Sequence, residues 1–176
     1  MKKALFLDRD GIINIDHGYV AQIENFAFTE GIFKLLHLFI HKGYLLFIIT
    51  NQSGIGRGYY TIEDFNTLTS WMLNILNTHN ITIEKVAYCP HAPEANCHCR
   101  KPQTGMIEEI LKHYPIDLSN SWLIGDKQSD IDLAHNAQIG HSIAIGSRTF
   151  ENYDYLFPSI LKCAEFLEEN HDIITS

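Results

Sequence analysis

Five short apolar runs punctuate the chain: KALFLD (Lys3 to Asp8), YLLFIIT (Tyr44 to Thr50), IEKVAYC (Ile83 to Cys89), SWLIGD (Ser121 to Asp126) and HSIAIG (His141 to Gly146). Each is bounded by turn residues or charges, which marks a buried strand. Between the runs the apolar spacing changes. Ile32, Leu35, Leu36, Phe39 and Ile40 follow a helical stripe that Gly43 ends, and Thr61 is placed to cap a helix whose inner face is Phe65, Leu68, Met72, Ile75 and Leu76. A third helix offers Ile107, Ile110, Leu111 and Tyr114, a fourth covers about residues 129–138, and Pro158 opens a fifth. Parallel crossovers need helices that pack back onto the sheet, so this alternation predicts an α/β fold: a three-layer, Rossmann-like parallel sheet with helices on both faces. At 176 residues the chain is expected to form a single domain, 1–176, with no room for a large cap domain.

In such sheets ligands bind beyond the carboxyl ends of the strands, so the residues after each run belong together. After the first run, Asp8 and Asp10 sit two apart and point the same way, while Gly11 lets the chain turn. An isolated Asp-x-Asp more often serves as a turn or cap; its place at a strand end alters that reading. After the second run, Thr50 and Asn51 offer a hydroxyl and an amide to phosphate oxygens, and the glycines of TNQSGIGRG free backbone N–H groups. Arg100 and Lys101 follow the third run as adjacent cations, and Asp126, Lys127 and Asp130 follow the fourth. Magnesium takes oxygen ligands, and carboxylates from two neighbouring strand ends leave positions for water and phosphate. The set suits phosphoryl transfer.

Asp8-Arg9-Asp10, Thr50, Lys101 and Gly125-Asp126, in that order across Lys3 to Gly146, resemble the motifs of the haloacid dehalogenase-like hydrolases. The resemblance implies a magnesium-dependent phosphatase. Asp8 would attack phosphorus and form an aspartyl-phosphate, while Asp10 would act as general acid and then base. Asp8, Asp126 and the Asp10 backbone carbonyl would hold Mg2+, and Thr50 and Lys101 the phosphoryl oxygens.

Within the family, DRDGIINIDHGYV, TNQSGIGRG, CPH…CHCRKP and IGDKQSD are similar to the branch that removes the C7 phosphate of D-glycero-D-manno-heptose 1,7-bisphosphate for nucleotide-heptose synthesis. Histidinol-phosphate phosphatases share the cysteine loop and form the sibling reading. The resemblance places Asp16, His17, Gly18 and Tyr19 against substrate, together with Thr50, Asn51, Gln52 and Ser53. Two features depart from the pattern: Ile12 stands where Thr or Val is usual, and only five residues separate His91 from Cys97, a short loop associated with the histidinol enzymes.

Cys89, His91, Cys97 and Cys99 form C-x-H-x5-C-x-C, three thiolates and an imidazole that make a closed tetrahedral set suited to structural zinc. Disulfides are a poorer use of these cysteines in a chain whose opening, MKKALFLDRDG, meets charge too soon for a signal peptide and which is therefore expected in the cytosol. The loop at 89–101 is too poor in apolar residues to hold one shape by packing, so an ion would fix it and place Arg100 and Lys101 directly after the last ligand. His98 should point away from the metal, and Cys163 should be a small buried hydrophobe.

Arg100 is the expected reader of a second phosphate or acidic substituent, because a guanidinium binds it bidentately. Lys127 supports the acidic site, and Asp130 orients a lysine or serves the helix start. A net charge of -8 argues against nucleic acid and anionic membranes; the resemblance implies a small sugar phosphate as partner, and the chain is expected to be a monomer. A receiver-like signalling module also clusters aspartates at strand ends. The paired Asp-x-Asp, Thr50 and the cysteine loop count against it.

Overall fold

The computed structural model describes residues 1–176. Its sheet has six strands, all parallel: β1 (Ala4–Leu7), β2 (Leu45–Asn51), β3 (Lys85–Cys89), β4 (Trp122–Gly125), β5 (His141–Ile145) and β6 (Tyr155–Phe157), ordered β3-β2-β1-β4-β5-β6. The helices are α1 (Ile32–His41), α2 (Ser53–Gly56), α3 (Ile62–Thr78), α4 (Gly105–Leu111), α5 (Gln128–Asn136) and α6 (Ile160–Glu169).

Alternation along the strands builds the three layers. Leu5, Leu7, Leu46 and Ile48 face one core with Leu35 and Phe39 of α1, Leu68 and Met72 of α3, and Ile160 and Leu167 of α6. Phe6, Phe47 and Ile49 face the other core with Met106 and Ile110 of α4 and Leu133 of α5. Thr61 caps α3 as expected: its side chain accepts from Asp64 N at 3.1 Å while Asp64 Oδ2 accepts from Thr61 N at 2.9 Å.

Several expectations are corrected. The sheet has six strands rather than five. The missed strand, β6, is three residues long and lies at the edge with Leu156 exposed, so it carries no buried apolar run. Tyr44 and Ile83 lie just outside their strands, Leu111 is exposed at the end of α4, and Tyr114 falls beyond it, where its ring meets Phe47 edge-on. Pro158 precedes the cap residue Ser159 instead of opening α6 itself. Part of the TNQSGIGRG loop forms the single turn α2.

Because β2 and β4 flank β1, the chain leaves the central strand in opposite directions, and a crevice opens where the connections diverge. Residues between β1 and α1 fold back over this edge, held by isolated bridges from Asn14 to Asp10 and to Phe28. They include one turn of 3-10 helix, Ile23–Asn25. No helix is long and apolar enough to cross a membrane.

Candidate active site

Asp8, immediately after β1, is buried, and its Oδ1 accepts from the backbone N–H of Arg9 at 2.8 Å. Lys101 lies 3.0 Å from the same oxygen and 2.7 Å from Asp130 Oδ1, and also donates to the carbonyl of Ile49 at 2.9 Å. Burial opposes the charge on Lys101, but Asp130 and then Asp8 outweigh it and hold its pKa above the ordinary lysine value. Asp130 also serves the start of α5, where its Oδ2 accepts from Lys127 N at 3.2 Å. The two roles expected for Asp130 as alternatives are combined in one carboxylate.

Asp126 lies on the other side of Asp8, and its Oδ1 is buried without a hydrogen-bond partner. Burial first and the charge of Asp8 second push its pKa up to about 7. One oxygen from each of Asp8, Asp126 and Asp130 falls within a 4.8 Å cluster. Both Asp130 oxygens are engaged by Lys101 and the Lys127 N–H, which leaves Asp8 and Asp126, with its orphaned oxygen, as the pair that fits a hard divalent cation such as magnesium. Gly11 permits this approach: its φ is +87°, and a β-carbon there would come 2.1 Å from Asp126 Oδ2.

Asp10 is held from both sides. Its Oδ1 accepts from Arg9 Nη2 at 2.8 Å and Asn14 Nδ2 at 3.0 Å, and its Oδ2 accepts from Gln52 Nε2 at 3.1 Å. Arg9 is fully buried, and the same Nη2 reaches the carbonyl of Val20 at 2.7 Å, so it links the general-acid candidate to the 16–20 stretch. Gln52 Nε2 also donates to Thr50 Oγ1 at 2.9 Å. Asn51 Oδ1 accepts from Lys101 N at 3.0 Å and thereby ties the end of β2 to the cation loop.

The cavity above these groups has a volume of about 260 Å3 and is lined by Asp10, Asp16, Gly18, Tyr19, Asn51, Gln52, Ser53, Tyr60, Arg100, Lys127 and Ser129. A deeper recess of about 30 Å3 continues to Asp8, Lys101 and Asp130. Arg100 brings a buried Nη1 that has no partner. His17, expected against substrate, is exposed and is absent from both linings. Thr50 is fully buried beneath the cavity. A larger hollow of about 460 Å3 between β3 and α4 holds none of the strand-end carboxylates, so size alone does not locate the site.

Beside the cavity, Cys89, His91, Cys97 and Cys99 bring their ligand atoms within 4.8 Å of one another. Cys89 Sγ lies 2.8 Å from Cys99 Sγ and 3.4 Å from Cys97 Sγ, and His91 Nδ1 is 3.2 Å from Cys99 Sγ. Burial works against ionisation of Cys97, but the backbone N–H of Arg100 and the neighbouring thiols bring it down to about 6. Three thiols, one already inclined to thiolate, and an imidazole fit zinc. His98 turns outward and meets Glu108 Oε2 at 2.5 Å, and Cys163 is buried in the core.

Arg9, Asn14, Tyr60 and Ser129 are the site residues that sequence reasoning missed. Arg9 occupies the variable position of Asp-x-Asp, and Tyr60 reads as no more than a residue before a helix cap. Arg9, Asn14 and Ser129 lie inside the motifs DRDGIINIDHGYV and GDKQSD without being singled out there, and Tyr60 lies outside every motif.

A family model described as "HAD-hyrolase-like" matches residues 98–147. The chain is 49% identical over 144 residues to D-glycero-beta-D-manno-heptose-1,7-bisphosphate 7-phosphatase of Helicobacter pylori, covering 81% of this chain and 83% of the relative. It is 44% identical over 168 residues to D-glycero-alpha-D-manno-heptose-1,7-bisphosphate 7-phosphatase of Campylobacter jejuni, covering 95% and 96%. Among solved structures, D,D-heptose 1.7-bisphosphate phosphatase from B. bronchiseptica, complexed with magnesium and phosphate, shares the fold with a TM-score of 0.81 at 24% identity, covering 96% of this chain and 99% of that one.

Proposed function

The chain belongs to the haloacid dehalogenase-like hydrolases, in the family of heptose-1,7-bisphosphate 7-phosphatases, and from that premise we propose that it removes the C7 phosphate of D-glycero-D-manno-heptose 1,7-bisphosphate. The product is heptose 1-phosphate, for nucleotide-activated heptose synthesis. The observation that carries the reading is a buried Asp8 carboxylate held by Lys101 and clustered with Asp126, whose Oδ1 is orphaned, next to a cavity lined by Arg100 with its own orphaned nitrogen.

An Asp8 carboxylate oxygen forms the bond to phosphorus as the bond from phosphorus to the C7 oxygen breaks, and Asp10 gives the leaving oxygen its proton. Asp10 then takes a proton from water, which attacks phosphorus and releases Asp8. The donors around Asp10 suit the ionised form needed in this second step. Lys101 and Thr50 hold the phosphoryl oxygens, and Arg100 and Lys127 face the far phosphate or the sugar. Asp8, Asp126 and the Asp10 backbone carbonyl would hold Mg2+, whose charge offsets repulsion between the carboxylates and phosphate. Cys89, His91, Cys97 and Cys99 would hold Zn2+ as a structural ion.

The proposed working unit is a single-domain monomer. A reducing cytoplasm keeps its thiols available to the metal. The test is phosphate release from both anomers of heptose 1,7-bisphosphate, from histidinol phosphate and from simple sugar phosphates, measured side by side. Faster hydrolysis of histidinol phosphate than of either heptose anomer would move the chain to the sibling activity.

A further inference from the structure

Tyr60 precedes the cap of α3, and its side chain is buried against Gly54, where a β-carbon would come 2.2 Å from the tyrosine ring. Its hydroxyl donates to Gln52 Oε1. That contact decides which way the amide faces. With Oε1 engaged by a donor, Nε2 is turned to Thr50 Oγ1 at 2.9 Å and to Asp10 Oδ2 at 3.1 Å. The two ends of an amide have nearly the same shape and opposite hydrogen-bonding sense. A flipped Gln52 would set its carbonyl against the Asp10 carboxylate and leave Thr50 without that donor. Burial pushes the Tyr60 phenol up to about 12, so the hydroxyl keeps its proton over the ordinary working range.

We infer that Tyr60 is a positioning residue for the phosphatase reaction, locking the Gln52 amide so that its N–H groups face Asp10 and Thr50. The inference rests on the phosphatase reading above. Tyr60 lines the 260 Å3 cavity but not the recess that holds Asp8, and it reaches Asp10 and Thr50 through Gln52. The amide in turn spans the group that moves the proton and the group that meets the phosphoryl oxygen, so its orientation bears on the reaction more than on substrate capture.

The test compares wild type, Tyr60→Phe, Gln52→Leu and the double variant with heptose 1,7-bisphosphate and p-nitrophenyl phosphate, alongside NMR hydrogen exchange of the Gln52 side-chain amide. Tyr60→Phe keeps the ring and removes only the hydroxyl. It is expected to lower kcat about threefold to tenfold, the scale of one neutral hydrogen bond, while KM stays within about twofold. In the Gln52→Leu background the same change should have no further effect, because the link from Tyr60 to Asp10 and Thr50 is gone. The Gln52 amide should be protected in wild type and lose protection in Tyr60→Phe. An unchanged kcat, or equal losses in both backgrounds, overturns the inference. If wild type hydrolyses neither substrate, the phosphatase reading fails separately and the amide decides the lock: protection that depends on Tyr60 supports it, and protection unchanged in Tyr60→Phe overturns it.

Discussion

Lys101, in the loop that follows β3, meets Asp8 at the end of β1, with Nζ 3.0 Å from Oδ1 and both side chains buried. The ammonium holds the carboxylate of the proposed nucleophile in place and stands where it can meet phosphate charge. Asp130, at 2.7 Å, keeps the lysine anchored when Asp8 is altered.

Asp8→Asn is therefore expected to abolish turnover with the fold retained, since the amide is nearly isosteric, cannot attack phosphorus, and leaves Lys101 its second partner. Asp10→Asn should also be severe. Phosphate release and circular dichroism on the two variants check this. Near-normal turnover in Asp8→Asn, free of wild-type contamination, would end the covalent mechanism.

Magnesium affinity should depend on pH through Asp126. Its pKa is raised to about 7 by burial and by Asp8, so in the metal-free protein the folded state holds the proton more tightly than the unfolded chain. That contribution to stability is present in acid and is lost as pH rises from about 4 to about 7. Cation binding must displace the same proton, so affinity should fall about tenfold per pH unit below about 7 and level off above it. Calorimetric titrations at about pH 5.5, 6.5 and 8 read the slope. A pH-independent affinity would contradict this role for Asp126.

Elemental analysis should find about one zinc per chain, bound by Cys89, His91, Cys97 and Cys99. Chelation should lower activity by loosening the loop that delivers Arg100 and Lys101. A metal-free, fully reduced protein with an unchanged loop and full activity would refute the structural-zinc assignment.

Arg100→Ala should narrow the preference for heptose bisphosphate over histidinol phosphate by about 1.5–3 kcal/mol, the scale of a charge-assisted contact. Activity toward a small monophosphate should fall less. The ratios of kcat/KM decide it: equal losses on all substrates would place Arg100 in the general phosphate site.

The sequence by itself determined the layered α/β fold and the strand ends at which the chemistry gathers. Periodicity of two and of 3.6 is a local property, and Asp8, Thr50, Lys101 and Asp126 each stand at a break in it. Cys89, His91, Cys97 and Cys99 lie within eleven positions, so their grouping was legible as well. Edge strand β6 was not, because three half-exposed residues carry no apolar pattern. Tertiary structure alone decided the partners: Asp130 for Lys101, Val20 for Arg9, Tyr60 for Gln52, and solvent for His17. Such choices depend on which buried donor finds which acceptor once distant segments have packed, and an unmatched polar group in a core is costly enough to select one arrangement. Chain spacing carries no record of that selection.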